Sequence, residues 1–374
     1  MISFSQKLVR TPSASGEEDI VGELVAKKLD QIGLNVEVIG GNVLGRLEGT
    51  DSRTLALCGH LDTVPVTNPE SWTVDPYGGQ ISDGKLWGVG SADMKAGLAA
   101  QIAAIDAFRR DAISSRGTVL FVATVMEEVG KRRLALRKGV IELLDKGLVK
   151  ADAVVVGEPT DLVVARGHKG LCNIELTVHG KAAHASVPDK GVNAIEGMAR
   201  ILVALGTLKL GYHAELGPGT LTTCLVQGGT KLGTVPDVCR VSIDRRLTVG
   251  ESKETVQQEI DDLLRSLGKD LPGLDVEIEY PYSYQSILTP LDNPVLKSID
   301  VAGLAVTGKP ATIGFAPFGT DGAWINRLTG CPIIIYGPGK IANAHAPNEY
   351  VELARVEEAS KVYAALLGRY LSQG

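Results

Sequence analysis

The chain carries the stretch Leu57-Cys58-Gly59-His60-Leu61-Asp62-Thr63-Val64-Pro65 at the end of an apolar run that begins at Thr54. If this run is a strand, side chains two positions apart point to the same face of it. His60 could then bind a metal ion through one ring nitrogen, while Asp62 holds the other nitrogen and fixes the tautomer. The stretch therefore predicts a β-strand that ends at a candidate metal site.

Further acidic residues lie where an apolar or glycine-rich segment ends. Asp93 lies in the glycine-rich loop Gly88–Gly97, which leads into a helix, and an Asp there could also be an ordinary N-cap. Glu127 and Glu128 end the apolar strand Thr118–Met126. Adjacent carboxylates raise each other's pKa unless a cation pairs with them. The pair is therefore either a solvated strand end or one metal ligand beside one catalytic base.

Another carboxylate and a histidine complete the candidate site. Glu158 follows the apolar strand Ala153–Val156, and His345, which alone would be a solvated loop histidine, follows the predicted strand Ile333–Tyr336. Open α/β sheets bind ligands at the carboxyl ends of their strands, so these positions favour one common cleft. Two histidines and several carboxylates suit divalent ions, with zinc as the first choice and manganese or cobalt as alternatives. Two ions about 3.5–4 Å apart, sharing one carboxylate and a water, would use the whole set.

Composition favours a two-domain α/β protein. The chain has 374 residues, of which 44% are hydrophobic and 44 are glycine. That length supports two domains with a large core, and the glycines suit tight turns between strands and helices. The net charge of -6 and the lack of a Lys/Arg-rich block argue against a nucleic-acid partner.

The five cysteines form no Cys-x-x-Cys pair and no disulfide framework. All of them lie in or beside predicted strands, so we expect buried free thiols and a reducing compartment. Residues 1–10 lack a signal-peptide pattern, and no apolar run is long enough to span a bilayer. We therefore expect a cytoplasmic protein with no membrane partner.

Periodicity in the first half of the chain predicts alternating helices and strands. Glu17–Gln31 has apolar residues near helical spacing, and Gly33 ends this helix. Short apolar runs bounded by Gly, Asn and Asp predict strands. The strands predicted here are Val36–Ile39, Val43–Leu47, Thr54–Cys58, Thr118–Met126 and Ala153–Val156, and the further helices are Ala96–Arg109 and Leu134–Lys146. This alternation predicts a mixed sheet with helices on its faces.

In the middle of the chain the pattern changes and predicts a smaller domain inserted into the larger one. The strands and helices there, in order, are Leu171–His179, Val192–Leu205, Gly219–Val226, Val238–Leu247, Lys253–Leu267 and Val276–Tyr280. This β-α-β-β-α-β order is the ferredoxin-like motif. The α/β pattern returns after about Pro290 and ends in the amphipathic helix Ala354–Leu371. We therefore predict a metal-binding domain formed by residues 1–170 and 289–374, and an inserted domain formed by residues 171–288.

In order and spacing these motifs resemble those of the co-catalytic zinc metallopeptidase family that contains aminoacylase, acetylornithine deacetylase, succinyl-diaminopimelate desuccinylase and glutamate carboxypeptidase. The residues that carry the resemblance are Gly59–Pro65, Trp72, Asp75–Tyr77, Asp83–Gly88, Asp93–Lys95, Glu127–Gly130, Gly157–Thr160 and His345. The likeness covers nearly the whole chain, including the inserted domain. It implies a two-zinc aminopeptidase-like catalytic domain and an enzyme that hydrolyses linear amide bonds.

The resemblance also implies a role for each residue of the candidate site. The implied metal ligands are His60 and Glu158 for one ion, Glu128 and His345 for the other, and Asp93 as the bridge between them. Glu127 would be the general base, and Asp62 would orient His60. The family's bridging Asp is followed by a cis peptide bond, so the Asp93–Met94 bond is expected to be cis.

For the inserted domain the resemblance implies a lid and dimerisation domain, and therefore a homodimer. Gly180–Ser186 resembles the motif whose His, here His184, reaches the active site of the other subunit and helps to stabilise the oxyanion. Asp244-Arg245-Arg246 resembles the Asp-x-Arg strand motif, which makes Arg246 the clamp on a substrate carboxylate because its planar fork pairs with both oxygens. By strand alternation Arg245 would then face solvent.

Substrate identity depends on the residues around these motifs. Gly319-Thr320-Asp321-Gly322 resembles the family's substrate loop, and backbone donors at Gly319 and Thr320 could contact the same carboxylate. The chain departs from the family at Lys131–Leu134, where small residues are usual, and at Gly233–Thr234, where Asn is common. Neither departure removes a metal ligand, but both could alter the wall of the substrate pocket.

The expected function is hydrolysis of an N-acyl amino acid or small peptide with a free carboxylate, and the first choice is an activity like that of acetylornithine deacetylase. The alternative is a desuccinylase acting on succinyl-diaminopimelate or a peptidase like glutamate carboxypeptidase. A catalytically silent binding protein on the same fold is a rival of another class, but Glu127 and all five candidate ligands are present. A redox enzyme is disfavoured because no Gly-x-Gly-x-x-Gly opens a helix after a strand.

Overall fold

The computed structural model describes residues 1–111, 117–129 and 135–372 of the chain. The chain forms two compact units: the first combines Met1–His168 with Ile287–Gly374, and the second is Lys169–Ser286. The first unit is therefore built from both ends of the chain, and the second from one continuous segment. The departure at Lys131–Leu134 and the start of the helix predicted over Leu134–Lys146 lie outside the described residues.

Helices and strands alternate along most of the chain. In chain order the helices are α1 (Ile2–Val9), α2 (Asp19–Gln31), α3 (Ala96–Arg110), α4 (Val140–Asp145), α5 (Ala194–Leu205), α6 (Lys253–Leu267), α7 (Pro294–Thr307), α8 (Gly322–Thr329) and α9 (Leu353–Leu371). The strands are β1 (Asn35–Ile39), β2 (Asn42–Leu47), β3 (Thr54–His60), β4 (Ile81–Ser82), β5 (Lys85–Trp87), β6 (Thr118–Thr124), β7 (Ala153–Val156), β8 (Val164–His168), β9 (Gly170–His179), β10 (Tyr212–His213), β11 (Gly217–Pro218), β12 (Thr220–Gly228), β13 (Val238–Leu247), β14 (Asp275–Tyr284), β15 (Ile287–Leu288), β16 (Ile313–Ala316), β17 (Ile333–Ile335) and β18 (Tyr350–Glu352). Strands β9–β14 and helices α5 and α6 belong to the second unit, and the other elements belong to the first.

Within the described residues, a mixed nine-stranded sheet runs through the first unit in the order β1-β2-β6-β3-β7-β17-β8-β15, with β16 paired to β8. The neighbours β6, β3, β7 and β17 are parallel, whereas β2 pairs antiparallel with β6, and β8 with β17. Every residue of β3, β6 and β7 is buried, as expected for central parallel strands covered on both faces. The mixed α/β sheet predicted from the sequence is confirmed.

Helix α9 contributes much of the core of the first unit. It packs against α3 and α7, and both α3 and α9 contact β3. Its buried face repeats at helical spacing through Val356, Ala359, Tyr363 and Leu366. Among the described residues, no helix is both long enough and apolar enough to cross a membrane.

The first unit also contains a small sheet, formed in the described chain by β18, β5 and β4 in that order, which the sequence patterns do not predict. Strands of two or three residues are too short to show a period. Side chains support the β5–β18 pair, because the Trp87 and Tyr350 rings lie 4.8 Å apart and Lys85 Nζ lies 4.1 Å from the centre of the Tyr350 ring. This pairing places the residues that follow His345 beside the glycine-rich loop that contains Asp93.

The second unit contains an antiparallel sheet in the order β12-β13-β9-β14. Its elements follow the order β9-α5-β12-β13-α6-β14, with the short hairpin β10–β11 after α5. Helices α5 and α6 contact each other and the sheet. Asn193 caps α5, and Ser252 with Thr255 forms a capping box at the start of α6.

The expectation that Arg245 faces solvent is wrong. Its side chain is fully buried, and its guanidinium contacts the Glu251 carboxylate and lies 3.6 Å from Glu259 Oε2. Alternation along β13 does hold, since buried Val241 and Ile243 share the face of Arg245. That face is the one in the core of the second unit. Two acidic partners therefore compensate a buried cation, which strand alternation alone does not reveal.

The expectation of buried thiols holds for four of the five cysteines and is wrong for Cys224. Cys224 is exposed and lies at a register shift between Thr223 and Leu225 on β12, an edge strand. A bulge at a sheet edge leaves its extra residue outside the regular pairing. All five cysteines are free thiols.

Candidate metal centre

Two clusters of histidine and carboxylate groups lie in the first unit and share Asp93. His60, Asp93 and Glu158 form the first cluster, and Asp93, Glu128 and His345 form the second. In each cluster the candidate ligand atoms all lie within 4.8 Å of one another. The first cluster is buried, whereas His345 of the second is exposed. The fold thus brings together all five residues that the resemblance implies as ligands.

Asp93 directs a different carboxylate oxygen at each cluster. Its Oδ1 lies 3.1 Å from His60 Nε2, and its Oδ2 lies 3.4 Å from His345 Nε2. Within the second cluster, His345 Nε2 lies 2.9 Å from Glu128 Oε1. Within the first, His60 Nε2 lies 3.6 Å from Glu158 Oε1. One carboxylate therefore connects two imidazole–carboxylate groups.

The parallel strands explain why distant residues meet. His60 is the last residue of β3, and Glu128 and Glu158 follow the ends of β6 and β7, which flank β3. Parallel neighbours end at the same edge of the sheet, where open α/β sheets bind their ligands. His345 comes from the loop before β18 and has a left-handed backbone with φ 56°.

Asp93 lies in the tight segment Ser91–Lys95 that precedes α3. Its backbone is extended, with φ -125° and ψ 97°, and the Asp93–Met94 peptide bond is cis, as expected. The N-cap alternative for Asp93 is wrong, because the N-cap of α3 is Lys95. The Asp93 side chain instead faces the two histidines.

The side chain of Asp62 lies beside His60 and also binds the backbone of a second segment. His60 Nδ1 lies 2.8 Å from the main-chain oxygen of Asp62, whereas Asp62 Oδ1 is 3.6 Å away. The Asp62 carboxylate accepts hydrogen bonds from the backbone N–H groups of Glu127 and Glu128, both at 3.0 Å, and from the Ser15 hydroxyl at 2.7 Å. Asp62 therefore fixes His60 through its main chain and the Glu127–Glu128 segment through its side chain.

Glu127 adjoins the second cluster and, among the described residues, is a member of neither. It follows Met126, whose backbone is left-handed with φ 59°. The Met126 N–H donates to Glu18 Oε1 at 3.0 Å, and the same oxygen accepts from the Gly16 N–H at 2.8 Å. Glu18 is buried and, like Ser15, has no sequence signal, because its contact with Met126 arises only when distant segments meet.

Glu349 is a second buried carboxylate that the sequence patterns do not identify. Its Oε1 accepts from the N–H groups of Ala92 and Asp93 at 2.7 and 3.1 Å, and its Oε2 accepts from Gly90 N–H at 3.0 Å. The only signal in the sequence is its position four residues after His345. Lys95, at the other end of this loop, is fully buried and donates to the main-chain oxygen of Thr11 at 2.7 Å.

The site favours positive charge. Burial raises the pKa of the Glu158 carboxyl to about 8 and that of Glu349 to about 8. Hydrogen bonds with Asp93 and Glu128 raise the pKa of His345 to about 10. Burial opposes ionisation of Asp93, but hydrogen bonds with His345 and His60 outweigh it and lower the pKa of Asp93. The acidic groups around His345 thus favour its protonated, positively charged form, and they would attract a metal cation in the same way.

The donor atoms fit divalent metal ions. Each cluster offers one imidazole nitrogen and two carboxylate groups, the donors that suit zinc and similar borderline ions. The hydrogen bond between His60 Nδ1 and the Asp62 main chain directs Nε2 at the carboxylates, as metal-binding histidines require.

The predicted substrate loop is anchored at the same end of the sheet. Thr320 and Asp321 are buried, and Thr124 at the end of β6 donates to Asp321 Oδ2 at 2.6 Å. Thr320 Oγ1 accepts from the Gly322 N–H at 3.2 Å. Gly319 directly precedes this anchored segment, so the loop that contains it is held by contacts within the first unit.

The two remaining predicted residues belong to the second unit. His184 is exposed, and its Nδ1 lies 2.7 Å from Ser186 Oγ. Arg246 is half-buried and donates from Nε and Nη2 to Asp244 at 2.8 and 3.0 Å. Asp244 therefore holds the Arg246 guanidinium in a fixed orientation.

The chain belongs to Peptidase family M20/M25/M40, whose sequence profile matches residues 56–369. It is 32% identical to the Escherichia coli (strain K12) protein YgeY over 385 residues, covering 98% of this chain and 93% of YgeY. It is 30% identical to acetylornithine deacetylase of Myxococcus xanthus, covering 99% and 92% of the two chains. It is 28% identical to succinyl-diaminopimelate desuccinylase of Cereibacter sphaeroides, covering 99% of both.

Solved structures share the fold over almost the whole chain. Aminopeptidase PepT of Bacillus cereus matches with a TM-score of 0.81 at 22% identity, over 100% of this chain and 98% of its own. The M20 family metallo-carboxypeptidase of Sulfolobus solfataricus matches with a TM-score of 0.81 at 18% identity, over 98% of each chain. The YxeP protein of Bacillus subtilis is described as a dinuclear metal-binding peptidase. It matches with a TM-score of 0.77 at 17% identity, over 100% of this chain and 98% of its own.

Family membership decides the class of function. The chain is an enzyme of the metallopeptidase and amidohydrolase class that hydrolyses amide bonds. The alternative of a catalytically silent binding protein is therefore set aside.

Proposed function

We propose that this enzyme uses two zinc ions to hydrolyse an N-acyl amino acid or small peptide that bears a free carboxylate. The observation that carries the proposal is the sharing of Asp93 by the two ligand clusters. His60 and Glu158 would hold one ion, Glu128 and His345 the other, and Asp93 both. Ions bound there would lower the pKa of a water molecule and polarise the amide carbonyl. The dinuclear metal binding described for the YxeP protein supports this proposal.

Glu127 is the proposed general base. Asp62 holds the N–H groups of Glu127 and Glu128, and Glu18 holds the N–H of Met126 before them, so the backbone that presents the Glu127 carboxylate is fixed on both sides. Glu127 also adjoins the ligand Glu128 without belonging to either cluster. From this position it would take a proton from the attacking water and deliver it to the leaving nitrogen.

The second unit is proposed to be a ferredoxin-like lid and dimerisation domain, and the enzyme a homodimer. The element order β-α-β-β-α-β and the sheet order β12-β13-β9-β14 support the first part. Edge strand β12 supports the second, because Leu225 and Val226 on it are 60% and 58% exposed. An exposed edge with apolar side chains favours pairing with another chain. His184 from a second subunit would then donate a hydrogen bond to the developing oxyanion.

The proposed substrate carries a carboxylate next to the scissile amide. Arg246 supports this, because Asp244 fixes the guanidinium through Nε and Nη2, and the Nη1–Nη2 edge of an arginine can pair with a second carboxylate. The anchored loop at Gly319 and Thr320 would supply backbone donors to a substrate carboxylate. Similarity to acetylornithine deacetylase makes N-acetylornithine the first candidate, and similarity to succinyl-diaminopimelate desuccinylase makes the succinyl compound the second. A glutamate carboxypeptidase-like peptidase is the third.

Substrate assays on the zinc-loaded enzyme test the proposal. We expect hydrolysis of N-acetylornithine, N-succinyl-diaminopimelate or a dipeptide, and a kcat/KM about 10–100-fold lower for the carboxamide analogue of the best substrate, because charge-assisted hydrogen bonds are lost. Arg246→Met should abolish this preference, whereas Arg240→Met, an exposed arginine on the same strand, should retain it. Equal rates for acid and carboxamide would contradict the proposal.

A further inference from the structure

Glu349 is a buried residue that binds the backbone of one short loop, residues 88–93. Its two carboxylate oxygens accept three N–H groups, from Gly90, Ala92 and Asp93, at 2.7–3.1 Å. Its main-chain oxygen also accepts from Gly88 N–H at 2.9 Å. A single buried residue therefore receives four hydrogen bonds from residues 88–93.

This loop needs such a partner because its backbone is irregular. Gly88 and Gly90 have φ values of 136° and 77°, and Asp93 is extended, so this stretch lacks the regular α-helical bonding pattern. Buried N–H groups without an acceptor are costly. The two side-chain oxygens of Glu349 together accept three of these N–H groups, so they supply the acceptors that the loop needs. Glutamine would instead direct an NH₂ group at one of these N–H donors.

The same contact joins the two segments that carry candidate ligands. Glu349 lies four residues after His345, and the next residue, Tyr350, is paired with Trp87 in the β5–β18 register. The loop on the other side carries Asp93, the carboxylate common to both clusters. Both oxygens of Glu349 face backbone N–H groups, so its contacts act on Asp93 through the main chain.

We propose that Glu349 is a positioning residue that sets the separation of the two ligand clusters by holding Asp93 against the segment that carries His345. The inference rests on the proposed two-ion site and assigns no ligand role to Glu349. Groups that hold metal ligands in place usually change metal affinity by about 10–100-fold when they are replaced. The ion shared by Asp93, Glu128 and His345 should therefore bind more weakly when Glu349 is changed.

The test compares Glu349→Gln with Glu251→Gln. Glu251 is a matched control in the second unit, because its carboxylate also accepts backbone N–H groups, from Gly211 at 3.0 Å and Thr248 at 2.7 Å. Metal-free proteins are titrated with zinc against a competing chelator, and amide hydrogen exchange is measured at Gly90, Ala92 and Asp93 before metal is added. We expect Glu349→Gln to bind the second ion about 10–100-fold more weakly and to exchange faster at these amides. Glu251→Gln weakens the ion pair with Arg245 in the second unit, but it should match the wild type in both measurements, because both are made on residues of the first unit.

The outcomes separate this inference from the proposed function. Wild-type protein that binds fewer than two ions contradicts the two-ion proposal, and unchanged amide exchange in Glu349→Gln then overturns the inference independently. Wild-type protein that binds two ions, with equal affinities in Glu349→Gln, overturns the inference alone. If Glu349→Gln does not fold, Glu349→Asp is measured in its place, because it keeps the charge but shortens the reach to the loop.

Discussion

Single buried carboxylates hold the ligand segments of this enzyme in place. Asp62 accepts the N–H groups of Glu127 and Glu128, Glu18 that of Met126, and Glu349 those of the loop before α3. Burying an ionised carboxylate is costly unless several donors compensate it. The site thus contains two kinds of acidic residue: some face the histidines, and others face backbone N–H groups next to them.

Replacing Asp62 by Asn tests the role of the acidic residues that face backbone N–H groups. Asn keeps one acceptor oxygen but places an NH₂ group against a backbone N–H, so the Glu127–Glu128 segment loses its fixed position. We expect kcat to fall about 10–100-fold while the protein stays folded. Ser15→Ala, which removes only the hydroxyl bonded to Asp62, should have a smaller effect. Equal kinetic constants for Asp62→Asn and the wild type would contradict this role.

Four of the five candidate ligands follow local patterns in the sequence, whereas the choice of His345 and the metal role of each residue come from the resemblance to the metallopeptidase family. His60 and Glu158 lie at or just after the ends of apolar strands, and Asp93 follows a glycine-rich loop. The partners of Asp62 and Glu349 could not be predicted, because they depend on which backbone N–H groups another segment brings near. No pattern within either segment encodes that contact.

At the scale of elements, the long strands and helices are the ones whose bounds the periodicity of the sequence predicts best. Strand β13 and helix α6 have the bounds predicted from alternation and helical spacing, Val238–Leu247 and Lys253–Leu267. Strands β4 and β18, of two and three residues, have no period and were not predicted, whereas the equally short β17 was predicted from the apolar run Ile333–Tyr336. Alternation also separates the two faces of β13 without indicating which one is covered, and this explains the wrong prediction for Arg245.

The buried ion pair on β13 leads to a stability prediction. Arg245→Met removes the buried cation beside Glu251 and Glu259 and leaves these two half-buried carboxylates without it. We expect the free energy of unfolding, measured with urea, to fall by about 3–5 kcal/mol. Arg240→Met, at an exposed position of the same strand, should change it by less than about 0.5 kcal/mol. Similar values for the two variants would contradict a structural role for Arg245.

At the scale of the whole molecule, the chain combines a sheet-based unit that carries both ligand clusters with a second unit that carries His184 and Arg246. The order of strands and helices in the sequence predicts a division of this kind, because a β-α-β-β-α-β pattern interrupts a longer α/β pattern. Which subunit supplies His184 to a given site is not encoded in element order. The proposed homodimer therefore leads to an experiment on assembly.

Mixing two inactive variants tests whether His184 acts between subunits. His184→Ala should fold and retain metal but lose about 10²–10³-fold in turnover, because an oxyanion donor is missing. Mixed with excess Glu127→Gln subunits, it should regain activity, since some hybrid dimers contain one site with both residues intact. Subunit exchange is verified with differently tagged chains. Exchange without recovered activity would mean that His184 does not act on the partner's site.

The central claim is that Asp93 joins two metal sites beside a separate general base, Glu127, and Glu127→Gln tests it most directly. The measurement is the metal content per chain together with kcat on the same preparation, with the exposed Glu37→Gln as the control. We predict two ions per chain in both variants, with kcat reduced about 10²–10⁴-fold in Glu127→Gln only. Wild-type turnover in Glu127→Gln, or loss of both ions from it, would contradict the claim.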